Sequence, residues 1–194
     1  MLYDYEPMPI IDCGNFILRS IRKSDYKDLY EFGSDHDVTK FLSWGPYEDE
    51  AEAKWTIENY YLERPKKNLP IGYAIIYKDN NKMIGVIDFH TINHYDESGE
   101  IGFCLSKEYQ GLGIMTIALK KMIYVGFEML KLHRIEIKHA KENLASKRVI
   151  EKCDFRFEGI LREAHYLIKL KKYTDVYTYS IIKDEYFKEE LKWQ

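Results

Sequence analysis

The strand-like stretch Glu100-Ile101-Gly102-Phe103-Cys104-Leu105 and the run just after it, Tyr109-Gln110-Gly111-Leu112-Gly113-Ile114-Met115-Thr116, decide how this chain is read. The first is short, apolar-rich and carries an aromatic, which is strand character. Beyond the second, Leu112, Met115, Leu119, Met122, Ile123, Phe127 and Leu130 recur at three- and four-residue steps, the spacing of one helix face. Gly111 and Gly113 stand at the junction, where they permit positive φ and leave the backbone N–H groups unshielded by a β-carbon. The first N–H groups of a helix lack intrahelical partners and sit at the positive end of its dipole, so the junction suits a phosphate or pyrophosphate, with the Thr116 hydroxyl beside it. A plain tight turn is the competing reading of the same glycines. A Walker loop is excluded because Ile114-Met115 stand where Lys-Ser/Thr is needed, and a Rossmann turn because a third glycine and its βαβ frame are missing.

Working outward, Phe16 to Ile21 alternates as a strand and Ser24 caps a helix with Tyr26, Leu29, Tyr30 and Phe32 as apolar positions. Asp35 to Leu42 reads as a second short helix, Trp44-Gly45-Pro46-Tyr47 as a break, and Glu48 to Leu62 as an amphipathic helix with Trp55 and Ile57 inward. Ile71 to Tyr77 and Met83 to Ile92 are strands joined at Asp79-Asn80-Asn81, and a polar loop from Asn93 to Ser98 leads to the Glu100 strand. After the glycine-loop helix come a strand from His133 to Lys138, a helix from about Asn143 to Lys152, and strands Phe155 to Leu161 and Tyr173 to Ile182. The tail from Lys183 reads as a short packed helix. The class is α/β (α+β) with one central sheet flanked by helices.

At 194 residues and 45% hydrophobic content the chain can bury one good core, so residues 1–194 are read as a single domain. A net charge of −3 excludes a strongly basic nucleic-acid footprint; the cluster Lys169, Lys171 and Lys172 reads as a solvated loop. Cys13, Cys104 and Cys153 lack metal or redox spacing and fit a reducing cytosol. With no signal-like N-terminus and no apolar run of bilayer length, a soluble cytoplasmic protein without membrane partners or a metal site is expected.

On these residues the chain resembles the GNAT acyl-CoA N-acyltransferases, and within them the Rim-type ribosomal-protein N-acetyltransferases, from about residue 15 to residue 182 in element order. The superfamily pattern Gln/Arg-x-x-Gly-x-Gly/Ala falls on Gln110, Gly113 and Met115, with Met115 departing from the small final residue. Lys141 to Phe155, including Asn143, Ser146 and Glu151-Lys152-Cys153-Asp154-Phe155, resembles the family's Asn-x-x-Ser…Glu-Lys-x-Gly-Phe segment. The resemblance implies a mixed, mostly antiparallel sheet of about seven strands, splayed between the fourth and fifth, that binds acetyl-CoA (coenzyme A). Phe103, Cys104, Leu105, residues 110–116, Asn143 and Ser146 would hold the coenzyme: the loop its pyrophosphate, Asn143 the pantetheine arm, and Ser146 a place near the thiol. Asn143 is equally a sensible N-cap, with Ser146 in the first turn.

The implied reaction is acetyl transfer to a primary amine, which must be neutral to attack, so a general base is required. An α-amine, at a reference pKa of about 7.7–8.0 against about 10.4 for lysine, is the easier nucleophile. The tyrosine that many members use to protonate the leaving thiolate falls on Ile150, so Ser146 becomes the candidate donor. His165, where a Rim-type relative carries glutamate, is the candidate base, with Glu163 a nearby substitute and Glu100 a further acidic candidate. Trp44, Tyr47, His90 and Tyr166 are candidate acceptor-site residues, each with core packing, strand parity or surface exposure as its plain alternative. The leading reading is therefore an N-terminal protein acetyltransferase of the ribosomal-protein type, as a monomer or homodimer. The alternatives are a small-molecule amine acetyltransferase and a catalytically weak acyl-CoA-binding protein.

Overall fold

A computed structural model describes residues 8–190; the N-terminal residues used in the reading of localisation lie outside the described residues. Eight strands form one sheet in the order β1-β2-β3-β4-β5-β6-β8-β7. They are β1 (Ile11–Asp12), β2 (Phe16–Ser20), β3 (Tyr73–Tyr77), β4 (Lys82–Asn93), β5 (Ser98–Leu105), β6 (Arg134–Ala140), β7 (Arg156–Leu167) and β8 (Lys172–Ile182). All neighbouring pairs are antiparallel except β5 and β6. The helices are α1 (Tyr26–Gly33), α2 (His36–Thr39), α3 (Glu50–Thr56), α4 (Ile114–Tyr124), α5 (Leu144–Glu151) and α6 (Lys183–Glu190). The mixed, mostly antiparallel sheet flanked by helices is the architecture read from the sequence, with β1 as one extra short edge strand.

Strand alternation separates two apolar layers. Tyr73 and Ile75 of β3 join Leu119, Met122 and Ile150 beneath α4 and α5, whereas Ala74 and Ile76 of the same strand join Leu29, Phe32, Ala53 and Ile57 beneath α1 and α3. The helix read at 48–62 is shorter: α3 is capped by the Asp49 side chain and passes into a π-helical turn at Ile57–Tyr61. Trp55 is 63% exposed, not inward, while Ile57 is fully buried. Residues two apart on a helix face nearly opposite ways, so both cannot face the core. The region 35–42 holds only the one-turn α2, capped by Asp35.

The sequence reading placed a loop between Leu161 and Tyr173, but β7 continues to Leu167 and pairs with β8 almost to the turn. Because β7 is an edge strand whose residues are mostly exposed, the burial alternation that reveals a strand is absent there.

β5 pairs β6 only from Ser98↔Arg134 to Ile101↔Ile137. Past that point Phe103, Cys104 and Leu105 pair only with β4, and Lys138, His139 and Ala140 only with β8. The sheet therefore opens into a V between the fourth and fifth of the strands read from sequence. Among the described residues no helix is long and apolar enough to cross a membrane.

Candidate active site

A cavity of about 580 Å3 occupies the V and is lined from both faces of the sheet. Phe103, Cys104, Asn143 and Ser146 line it, as do Trp44, His90, Glu100 and His165. Residues from eight separate elements or loops thus meet where the interior of the sheet leaves backbone N–H and C=O groups without a neighbouring strand. Such groups can receive the amides of an extended ligand as a sheet edge does.

The glycine loop lies outside that lining. Gly111 and Gly113 have φ of +79° and +78°, and a Cβ built at either meets nothing within 4 Å, so the loop is open above both. Gly113 is the N-cap of α4 and supplies no side-chain acceptor, which leaves the N–H groups of the first turn available to an anion. Gln110 ties the loop to the end of β5 by donating from Nε2 to the Leu105 carbonyl at 3.0 Å. Ile114 and Met115 are buried in the core beneath α4, so the bulk of Met115 points away from the loop and only its backbone faces the loop's concave side. The larger residue at the final motif position therefore costs the loop no space.

Asn143 is the N-cap of α5: its Oδ1 accepts from the Ser146 N–H at 3.1 Å. The helix thereby fixes Ser146 in its first turn, at the cavity wall. Ile150 is fully buried in the core, so the position where many relatives carry tyrosine here serves packing alone.

The inner wall is charged. Glu100 contacts His90 Nε2 at 3.5 Å through Oε1 and accepts from Lys138 Nζ at 2.7 Å through Oε2. Burial pushes its carboxyl up, but the hydrogen bonds and charges of His90 and Lys138 outweigh that and hold it below the usual glutamate value. His90 Nδ1 lies 3.0 Å from the Thr91 hydroxyl. Parity, which sequence could not assign to His90, puts its side chain on the cavity face with Val86 and Asp88.

Tyr47 does not line the cavity. It is 8% exposed, stacks on Trp44 at 5.4 Å and belongs to the apolar layer under α1; burial pushes its phenol up to about 12. Tyr166 is also outside the lining, packed against Tyr173 across the β7–β8 ribbon with centroids 5.0 Å apart. Cys104 contributes to the wall, but its thiol is buried and pushed up to about 12, so it stays protonated. Leu105 closes the strand end without lining the cavity.

His139 and Asp88 are among the lining residues that were not singled out from the sequence. His139 is stacked between Tyr177 and Tyr179 at 5.4 and 5.5 Å, and burial lowers its proton affinity, so it is the neutral imidazole at the Asn143 end. Asp88 is 7% exposed and held by Arg64 Nη1 at 3.1 Å. An acidic residue inside the apolar run Met83 to Phe89 was the available signal for it.

The Acetyltransferase (GNAT) domain family model matches residues 15–156, well over half of the chain. The chain is a member of the GNAT acetyltransferase family. Within that family it is 32% identical over 172 residues to the uncharacterized N-acetyltransferase p20 of Bacillus licheniformis, covering 87% of this chain and 93% of that protein. It is 24% identical over 169 residues to a spermidine N(1)-acetyltransferase of Vibrio cholerae, covering 87% and 94%. Among solved structures, RimL, a ribosomal L7/L12 alpha-N-protein acetyltransferase in complex with coenzyme A, superposes with a TM-score of 0.80 at 26% identity, covering 91% of this chain and 99% of that one. No group of three or more potential metal ligands occurs among the described residues.

Proposed function

We propose that the protein transfers an acetyl group from acetyl-CoA to the N-terminal α-amine of a protein, in a ternary complex. Acetyl-CoA supplies the acetyl group as a thioester, and the residues present fit it: the open loop at Gly111 and Gly113 with the first turn of α4, and the backbone of Phe103 to Leu105 left unpaired on its β6 side. The likeness to a coenzyme A complex of RimL supports the same cofactor. Ser146 donates a hydrogen bond to the departing sulfur from the first turn of α5. His165 takes the proton of the amine from the β7 side of the cavity, and Glu100 with His90 orients the amine from the opposite wall.

The observation that carries the acceptor class is the Glu100–Lys138 pair, at 2.7 Å. A polyamine brings several ammonium groups and needs several free carboxylates in place of their hydration. Of the two carboxylates lining this cavity, Glu100 is already compensated by Lys138, so the site suits a single amine. Among relatives, RimL by its name acts on a protein α-amine and the Vibrio cholerae protein on spermidine, so both classes occur in the family.

A thiol-release assay with acetyl-CoA against N-terminal peptides, spermidine and aminoglycosides tests this. Peptide-dependent release well above that with spermidine is expected; release with spermidine alone would overturn the acceptor class, and coenzyme binding without release for any amine would overturn the enzymatic reading.

A further inference from the structure

Asp88 is a buried carboxylate with half of its hydrogen-bonding capacity unused. Arg64, itself only 2% exposed, donates to Asp88 Oδ2, to the Phe89 carbonyl, to the Pro70 carbonyl at 2.7 Å and to the Tyr60 hydroxyl at 3.2 Å. Four of the five guanidinium N–H groups are engaged, and one of them fixes one carboxylate oxygen. The other, Oδ1, accepts no hydrogen bond among the described residues. Burial pushes this carboxyl up against the lowering effect of the Arg64 and His90 charges.

The backbone around Asp88 is arranged to leave Oδ1 uncovered. Its cross-strand partner on β5 is Gly102, the first residue past the last β5–β6 pair and so the vertex of the V. A Cβ at Gly102 would touch Oδ1 at 3.9 Å and clash with the His90 ring at 2.9 Å, so glycine here is what lets the His90 ring lie beside the Asp88 carboxylate. On the other side, Gly72 at φ +100° makes room for Asp88 itself, since a Cβ there would meet the Asp88 Cβ at 2.8 Å. Asp88, Gly102, Tyr60 and Tyr61 all line the cavity. A buried ion pair is a poor source of stability compared with an apolar pair of the same shape. Here it holds a carboxylate oxygen at the point where the sheet opens.

We propose that Asp88 Oδ1 is the anchor for the ammonium group of the acceptor, making the site a receptor for a primary amine with one positive charge at its reacting end. This deepens the proposed function and rests on reading the cavity as the acceptor site. Gly102 keeps the approach open, Arg64 sets the direction of the carboxylate, and the rings of Tyr60 and Tyr61 border the bound cation. Glu100, already paired with Lys138 and His90, orients the amine from the opposite wall without carrying its charge.

Two variants test the anchor with two readouts. Asp88→Asn removes the charge while keeping the shape; Gly102→Ala sets a methyl group against Oδ1 but also displaces the His90 ring, so it decides the matter, if the first variant does not fold, against His90→Ala as its control. Ethylamine hydrochloride and, as the uncharged control, ethanol are titrated by NMR against protein saturated with coenzyme A. The KM of the best acceptor and of acetyl-CoA is measured in parallel. In the wild type, saturable ethylammonium binding without ethanol binding is expected, and both variants should weaken it at least tenfold. Acceptor KM should rise similarly, with acetyl-CoA KM within twofold. Unchanged ethylammonium binding in folded variants, or none in the wild type, overturns the anchor. Binding that behaves as expected with no acetyl transfer to any amine would instead overturn the reaction assigned above.

Discussion

Replacing Lys169 by methionine should loosen the acceptor site without touching the coenzyme site. Residues 162–174 of the β7–β8 hairpin pair only with each other, because β6 pairs β8 from Val176 onward. This ribbon is tied at its base to Glu142 through Lys172 and Thr174, carries Ala164 and His165 over the cavity, and reaches with its tip the loop 41–44 on the opposite wall, where Lys169 Nζ donates to the carbonyls of Leu42 at 2.9 Å and Trp44 at 2.6 Å. Burial lowers the proton affinity of that ammonium, yet it remains the clamp between the two walls. Each charge-assisted hydrogen bond contributes a net of about 1.5 kcal/mol at the low end, and ordering a lysine side chain costs up to about 2 kcal/mol. The clamp is then worth about 1 kcal/mol, a roughly fivefold bias toward the closed ribbon. Methionine keeps the aliphatic length and removes the donors. The acceptor KM should rise about fivefold while acetyl-CoA KM stays constant, and amide exchange across 162–171 should accelerate by a similar factor. Lys171→Met, at an exposed neighbour, is the control and should change neither. An acceptor KM within twofold of wild type, with unchanged exchange, would show that the ribbon is held without Lys169 and refute the clamp.

Gly113→Ala should raise the dissociation constant for coenzyme A and lower stability by about 1–2 kcal/mol, because φ of +78° is strained for alanine and the methyl enters the open loop; Gly159→Ala, where a Cβ also meets nothing, should do neither. Ser146→Ala and His165→Ala should each lower kcat by about tenfold or more with coenzyme binding preserved, as measured by thiol release and calorimetry; wild-type turnover in both would remove them from the reaction. Acid should destabilise the fold through Glu142, held at about 2 by Lys172 and Thr174, and Glu158, held at about 2 by Arg134 and Ser180. Their depressed values stabilise the native state above the unfolded value of 4.5, and that stabilisation is lost as pH falls from there toward 2. Both pairs are largely solvated, so each contributes about 1 kcal/mol or less. Thermal midpoints of the Glu142→Gln, Glu158→Gln double variant should fall less steeply over that range than those of wild type; parallel curves would assign the acid sensitivity elsewhere.

Features with a local physical cause were legible in the chain itself. Gly111 and Gly113 at a strand-to-helix junction, the three- and four-residue rhythm of α4, and Asn143 three residues before the amide it caps all act within a few residues, where spacing alone dictates geometry. The meander followed from its turn signals, whereas the opening after the Glu100 strand was implied only by the family resemblance; the described pairing agrees with both. The tertiary structure alone decided the rest. Strand pairing over long distances set the parity that turns His90 and Asp88 into the cavity and places Gly102 opposite Asp88. It also inserted β8 between β6 and β7, and carried Lys138 to Glu100 and Lys169 to the loop at Trp44. A register step of one residue would reverse every one of those side chains, and no single segment encodes its partner's register. The proposed coenzyme end is therefore written in local sequence, and the proposed amine end exists only once the sheet has formed.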